Sequence, residues 1–130
     1  MDRLRDYDEI MKKELYRIRC KESGVTIAEN VLLANHFLDQ LIGLIGRKTL
    51  KRIQGLWLSP CNGIHTFGMR IPLDVIVLDD KGKILAVVKH LNPWRALMPT
   101  RGGCSVIELA AGNLSDKKIS VGMTLQFEKM

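Results

Sequence analysis

Three groups of residues in this chain have the types and spacing that do chemistry. Asp74 is the most distinctive, because it is the one polar residue in Pro72-Leu73-Asp74-Val75-Ile76-Val77-Leu78. Strand alternation puts it on the face of Ile76 and Leu78, opposite Leu73, Val75 and Val77, so both faces read as buried. A charge so placed requires a cation, several hydrogen-bond donors or a metal. Glu108 repeats the theme within Val106-Ile107-Glu108-Leu109-Ala110. Two readings stand for both acids. One is a polar centre that holds a ligand or does acid–base work; the other is a structural ion pair, or a carboxylate that pins loop amides.

The second group is Cys61 and His65, a C-x-x-x-H pair directly before that strand. Cys61 as nucleophile, His65 as base and Asp74 as the group that orients it would make a hydrolase or transferase. No helix N-terminus is expected beside Cys61 to lower its thiol pKa. His90 and Cys104 are further candidate zinc ligands, if the fold gathers them with Cys61 and His65. Ordinary packing of cysteine and histidine is the competing account, and no metal or cofactor is assigned. By alternation His65, Phe67 and Met69 share one face, and Thr66, Gly68 and Arg70 the other. The third group is Trp94-Arg95 with Arg101-Gly102-Gly103. An indole beside a guanidinium can wall a pocket for a planar or anionic group, and glycines let backbone amides approach an anion. Alternatively Arg95 or Arg101 pairs with Asp74 or Glu108, and Trp94 plugs the loop from beneath.

The elements that must position these residues are mostly strands. Leu4, Tyr7, Met11, Leu15 and Ile18 recur at helical spacing, which predicts a helix over 2–14 that gives way to a strand over 15–21. Glu22-Ser23-Gly24 turns the chain into a strand from Val25 to Leu33. Asn35 caps a second helix, whose stripes Phe37-Leu41-Leu44 and Leu38-Ile42-Ile45 give it a broad buried face and make it the principal core helix. Gly55–Leu58 reads as β, and Asn62-Gly63 as a tight turn after which Ile64–Met69 returns. Strands follow at Pro72–Leu78 and Lys83–His90. Leu91–Gly103 is a long connection of the kind that is often functional. Ser105–Ala111 is a strand, Ser115 caps a short helical turn, and Thr124–Glu128 closes the domain. The expectation is a mainly β (α+β) single domain over 15–130, a β-sandwich or partly closed barrel of about seven or eight strands, with one main core helix and an N-terminal helical extension over 1–14.

Composition narrows the function classes. The chain has 130 residues, 46% hydrophobic and 26% charged, which suits one globular domain and excludes a disordered tail or a coiled coil. No stretch reaches the ~18 apolar residues of a membrane span. Three cysteines and no apolar signal core point to a reducing, cytoplasmic setting. The net charge is +6, part of it in Arg47-Lys48-Thr49-Leu50-Lys51-Arg52. No aromatics are interleaved with that cluster, so a solvated turn after the helix is expected rather than nucleic-acid binding.

Several of these segments together resemble the prokaryotic family known as domain of unknown function 192. They are Gly43–Arg47, Gly55–Leu58, Ile64–Asp79, Pro93-Trp94-Arg95 and Val106–Gly112, and the likeness covers roughly residues 25–128. The resemblance implies a compact, mainly β sandwich or barrel and no established activity. Ile45 stands where the family often has methionine and Gln40 where it often has arginine. The leading functional expectation is a small binding or accessory module with a polar pocket for an anionic small molecule. The pocket is expected near Asp74 and Glu108, bordered by His65, Met69, Trp94, Arg95 and Arg101. The alternatives are the enzyme described above and a protein-interaction module that docks a partner through the N-terminal helix.

Overall fold

The computed structural model describes residues 14–34, 53–67 and 69–130. Nine strands run through them: β1 Leu15–Cys20, β2 Thr26–Ala34, β3 Gly55–Leu58, β4 Ile64–His65, β5 Leu73–Leu78, β6 Ile84–Leu91, β7 Ala96–Leu97, β8 Ser105–Ala110 and β9 Leu125–Lys129. Seven form one sheet in the order β6-β5-β8-β3-β2-β1-β9, and β4 and β7 form a separate pair. Only β2 and β3 pair in parallel, with Leu32 opposite Leu56 and Ala34 opposite Leu58; the other ladders are antiparallel.

β5 is buried along its whole length, as its near-continuous apolar run predicts. Its two faces belong to different cores. Ile76 and Leu78 pack with Ile107, Leu109, Ile18 and Leu125, so the sheet curls until β5 meets side chains from its far end. Val75 and Val77 lie on the other face, under Ile64, Leu97 and Cys61 of the β4–β7 layer. A smaller cluster, Leu32 with Leu15, Ile53 and Leu56, continues that outer face.

This arrangement overturns the expected sandwich or partly closed barrel built round a core helix. One sheet buries both of its faces, by curling on itself and by wearing a two-stranded patch, so no second full sheet is needed. The sheet stays open: its edge strands meet in a single bridge, Lys83–Thr124, with no ladder beyond it. No helix occurs among the described residues. The helices read over 2–14 and from Asn35 to Lys48 lie outside them, apart from Glu14, which is in a turn. Ser115 starts no helix; its hydroxyl donates to Gly112 O at 2.7 Å within a run of turns.

The turn at Asn62-Gly63 also differs from its sequence reading. β4 pairs with β7, inside the long Leu91–Gly103 connection, rather than returning along β3. Asn62 causes the change. Its side chain donates to Thr100 O and accepts from Thr100 N, both at 2.8 Å, in the manner of a strand partner. An amide group spent on a distant backbone segment does not close a local hairpin. No helix among the described residues is long and apolar enough to cross a membrane.

Candidate functional site

Asp74 lies where the alternation puts it, on the face of Ile76 and Leu78, and is 2% exposed. Its carboxylate accepts three backbone N–H groups: Oδ1 takes His90 N at 2.9 Å, and Oδ2 takes Gly112 N at 3.0 Å and Leu114 N at 2.9 Å. One side chain thereby ties the end of β6 and the turn after β8 to the middle of the sheet. The bonds replace the hydration that burial removes, so no arginine is required. The ion pairs among the described residues are instead Arg17–Glu29, Arg17–Glu128 and Arg19–Glu128, far along the sheet on β1, β2 and β9.

Glu108 is on the opposite face, in register between Leu56 of β3 and Val75 of β5. Burial pushes its carboxyl pKa up, and its charge adds to the burial that raises the Cys61 thiol. Cys61 Sγ donates to Gly63 O at 3.3 Å. His65 Nδ1 accepts from Phe67 N at 3.3 Å. The three members of the sequence-derived triad, Cys61, His65 and Asp74, are thus each bonded to a different backbone group. A thiol raised by burial is mostly protonated at neutral pH, which opposes nucleophilic use. Cys61 N donates to Cys104 O at 3.0 Å, so those two residues are neighbours, yet no group of three or more His, Cys, Asp or Glu converges among the described residues.

The structure does bring together His65, Met69, Trp94 and Arg95. Thr66, 0% exposed, is the joint. Its hydroxyl donates to Asn92 O at 2.7 Å and accepts from Arg95 N at 2.9 Å. Its backbone N donates to Arg95 O at 2.8 Å, and its carbonyl accepts from Trp94 N at 3.0 Å and Met69 N at 3.1 Å. These bonds hold Trp94 at φ +61°, a left-handed conformation that bulky side chains rarely adopt and that costs ~1–3 kcal/mol. The indole then projects outward, 65% exposed, so it is no plug beneath the loop.

Three rings line up on this corner. His65 and Phe67 have centroids 4.9 Å apart and planes 28° apart; Phe67 and Trp94 are at 6.0 Å and 24°. Phe67, Met69, Ile71 and Trp94 account for half of the large hydrophobic side chains exposed among the described residues. Arg70 and Arg95 follow Met69 and Trp94 and are exposed. Arg101 is not part of the platform. It sits past Thr100, which Asn62 clamps, at the opposite end of the β4–β7 pair from His65 and Ala96. Phe67 is the member that the sequence reading left out of the site. Its signal was the alternation His65, Phe67, Met69, which put an aromatic between two chosen residues.

The fold and this corner define a class: an open, curled β-sheet protein with an aromatic row displayed beside a two-stranded outer layer. The chain belongs to the family of domain of unknown function 192, described as an uncharacterized ACR, whose model matches residues 18–127. It is 27% identical over 112 residues to a UPF0127 protein of Pyrococcus furiosus, spanning 82% of this chain and 94% of that one. Two solved structures share the fold. One is a protein of Sinorhizobium meliloti 1021 described as a candidate transcription regulator, with a TM-score of 0.67 and 22% identity, covering 89% of this chain and 95% of that one. The other is a protein of unknown function from Novosphingobium aromaticivorans, with a TM-score of 0.64 and 18% identity, covering 86% and 83%.

Proposed function

We propose that the protein is a binding module that seats a small planar anion on the row His65–Phe67–Trp94, with Met69 at its edge and Arg95 and Arg70 facing the charge. The observation that carries this reading is the row itself. Three nearly parallel rings stand exposed, and one is held in a costly backbone conformation by four hydrogen bonds to a single buried threonine. Strain retained by surrounding structure marks functional positions. A flat guest gains ~0.5–1.5 kcal/mol per ring contact, and a guanidinium adds a charge-assisted bond to its anionic group. Methionine supplies an adaptable apolar edge. Asp74 serves the fold rather than the guest, because both of its oxygens are engaged by amides.

The test is a thermal-shift and NMR titration with nucleoside monophosphates, aromatic carboxylates and sugar phosphates. The first two combine a flat ring with an anion and should bind; sugar phosphates lack the ring and should not. Trp94→Ala and Phe67→Ala should remove binding while moving Tm by no more than about 2 °C, as expected of exposed side chains. Arg95→Ala should weaken both anion classes together. Binding of sugar phosphates as tight as that of nucleotides, or binding that survives Trp94→Ala, would sink the reading.

A further inference from the structure

The two connections that build the outer layer have a charge balance unlike the rest of the chain. One, 59–72, runs from β3 to β5 and contains β4; the other, 92–104, runs from β6 to β8 and contains β7. Together they carry Arg70, Arg95 and Arg101 and no aspartate or glutamate, although the chain has fourteen acidic residues. All three arginines are exposed, and the ion pairs among the described residues involve only Arg17 and Arg19. The same connections expose Phe67, Met69, Ile71, Trp94 and Met98, five of the eight large hydrophobic side chains exposed among the described residues. Their placement follows from the β4–β7 pair. Ile64 and Leu97 oppose each other and pack down onto Val75 and Val77, so alternation turns Met98 outward with His65. The Thr66 carbonyl, which accepts Trp94 N and Met69 N, gathers the others at the adjoining corner. Three of the five protrude: Phe67 is 54%, Trp94 65% and Met98 74% exposed.

Exposed apolar side chains are ordinarily scattered, and a gathered set marks an interaction surface. Here Arg70 and Arg95 stand beside it at one end and Arg101 at the other, with no carboxylate in either connection to oppose them. That balance fits a partner with spread negative charge. Nucleic acid and an anionic bilayer both have it. Bases stack on rings, and Met69, Ile71 and Met98 offer none. A bilayer uses all five: aliphatic groups enter the acyl boundary, an indole settles at headgroup level, and arginines meet the phosphates. We propose that this outer layer docks the protein on an anionic phospholipid bilayer, with Phe67, Trp94 and Met98 entering first and the three arginines on the headgroups. The proposal does not rest on the reading of the ring row as a small-anion site, because Ile71, Met98 and Arg101 lie outside that row.

The experiment is co-sedimentation of the full chain with phosphatidylcholine vesicles, with and without about 30 mol% phosphatidylglycerol. The protein should bind the anionic vesicles at least ten times more tightly than the neutral ones. Bromine on the lipid acyl chains should quench tryptophan emission, and Trp94→Ala should abolish the quenching while Trp57 remains. Met98→Asp and Ile71→Asp should each lower vesicle binding about tenfold, and Arg101→Ala about fivefold. All three should keep Tm within about 2 °C of the parent, as exposed positions do. Met98→Asp should also keep its binding of nucleoside monophosphates, so this proposal and the ring-row reading fail separately. No binding to anionic vesicles, binding without quenching, or binding that survives Met98→Asp and Ile71→Asp overturns the proposal. A mixed-sequence single-stranded oligonucleotide that strips the protein from the vesicles at equal phosphate concentration overturns it too, and assigns the face to nucleic acid.

Discussion

At the scale of single residues, the buried Asp74 and the half-buried Glu108 do opposite things. Asp74 accepts three amides in a water-excluded setting, so both of its oxygens are satisfied by the fold it supports. Asp74→Asn keeps the shape but replaces one acceptor oxygen with an NH₂ that faces backbone donors. We expect a loss of about 3 kcal/mol, with Tm down by roughly 10 °C in thermal unfolding. Among the described residues Glu108 has no such donors, and burial raises its carboxyl pKa. Its folded pKa therefore lies above its unfolded value of about 4.3, the native state holds the extra proton, and stability falls as pH rises through that window. Glu108→Gln, always neutral, should raise Tm at pH 7 by ~2–5 °C, and the gain should vanish near pH 4. Equal gains at both pH values would assign the effect to packing instead.

At the scale of elements, the β4–β7 pair is both lid and display. Beneath, Ile64 and Leu97 cover Val75 and Val77; above, the adjoining segments carry the ring row. Two side chains hold the pair at its ends, Asn62 on Thr100 and Thr66 on Asn92 and Arg95. Thr66→Val keeps the volume but removes the hydroxyl and leaves Asn92 O and Arg95 N without their partner. The expected cost is about 2 kcal/mol, together with release of Trp94 from its left-handed conformation. Fluorescence anisotropy of Trp94, read in a Trp57→Phe background that still folds, should fall in Thr66→Val. An unchanged anisotropy would mean that the backbone bonds alone hold the indole.

At the scale of the whole molecule, the sheet is curled but not sealed. Its seam is the contact of the β5–β6 turn with the start of β9, where Leu125 N donates to Gly82 O and Ile84 N to Met123 O. Gly82 sits at φ +82°, and a Cβ there would come within 2.7 Å of Leu125 O. Gly82→Ala should therefore cost about 2 kcal/mol and speed hydrogen exchange at Ile84 and Leu125 more than at β5. Uniformly faster exchange would mean that the seam and the core unfold as one unit.

What the sequence determined by itself is what short-range physics controls. Alternation and turn residues located β1, β2, β3, β5, β6, β8 and β9 to within two residues, and the run around Asp74 showed a buried carboxylate before its partners were known. His65, Phe67 and Met69 fell on one face by the same rule. Only the tertiary structure decided which donors Asp74 meets, because Gly112 and Leu114 are nearly forty residues away and no periodicity carries that pairing. It likewise decided that Asn62 bonds Thr100 rather than closing a hairpin, that Trp94 faces out onto Phe67, and that one sheet buries both of its faces by curling. Those outcomes depend on which distant backbone groups remain unsatisfied once the strands have paired, and that is settled by the chain as a whole.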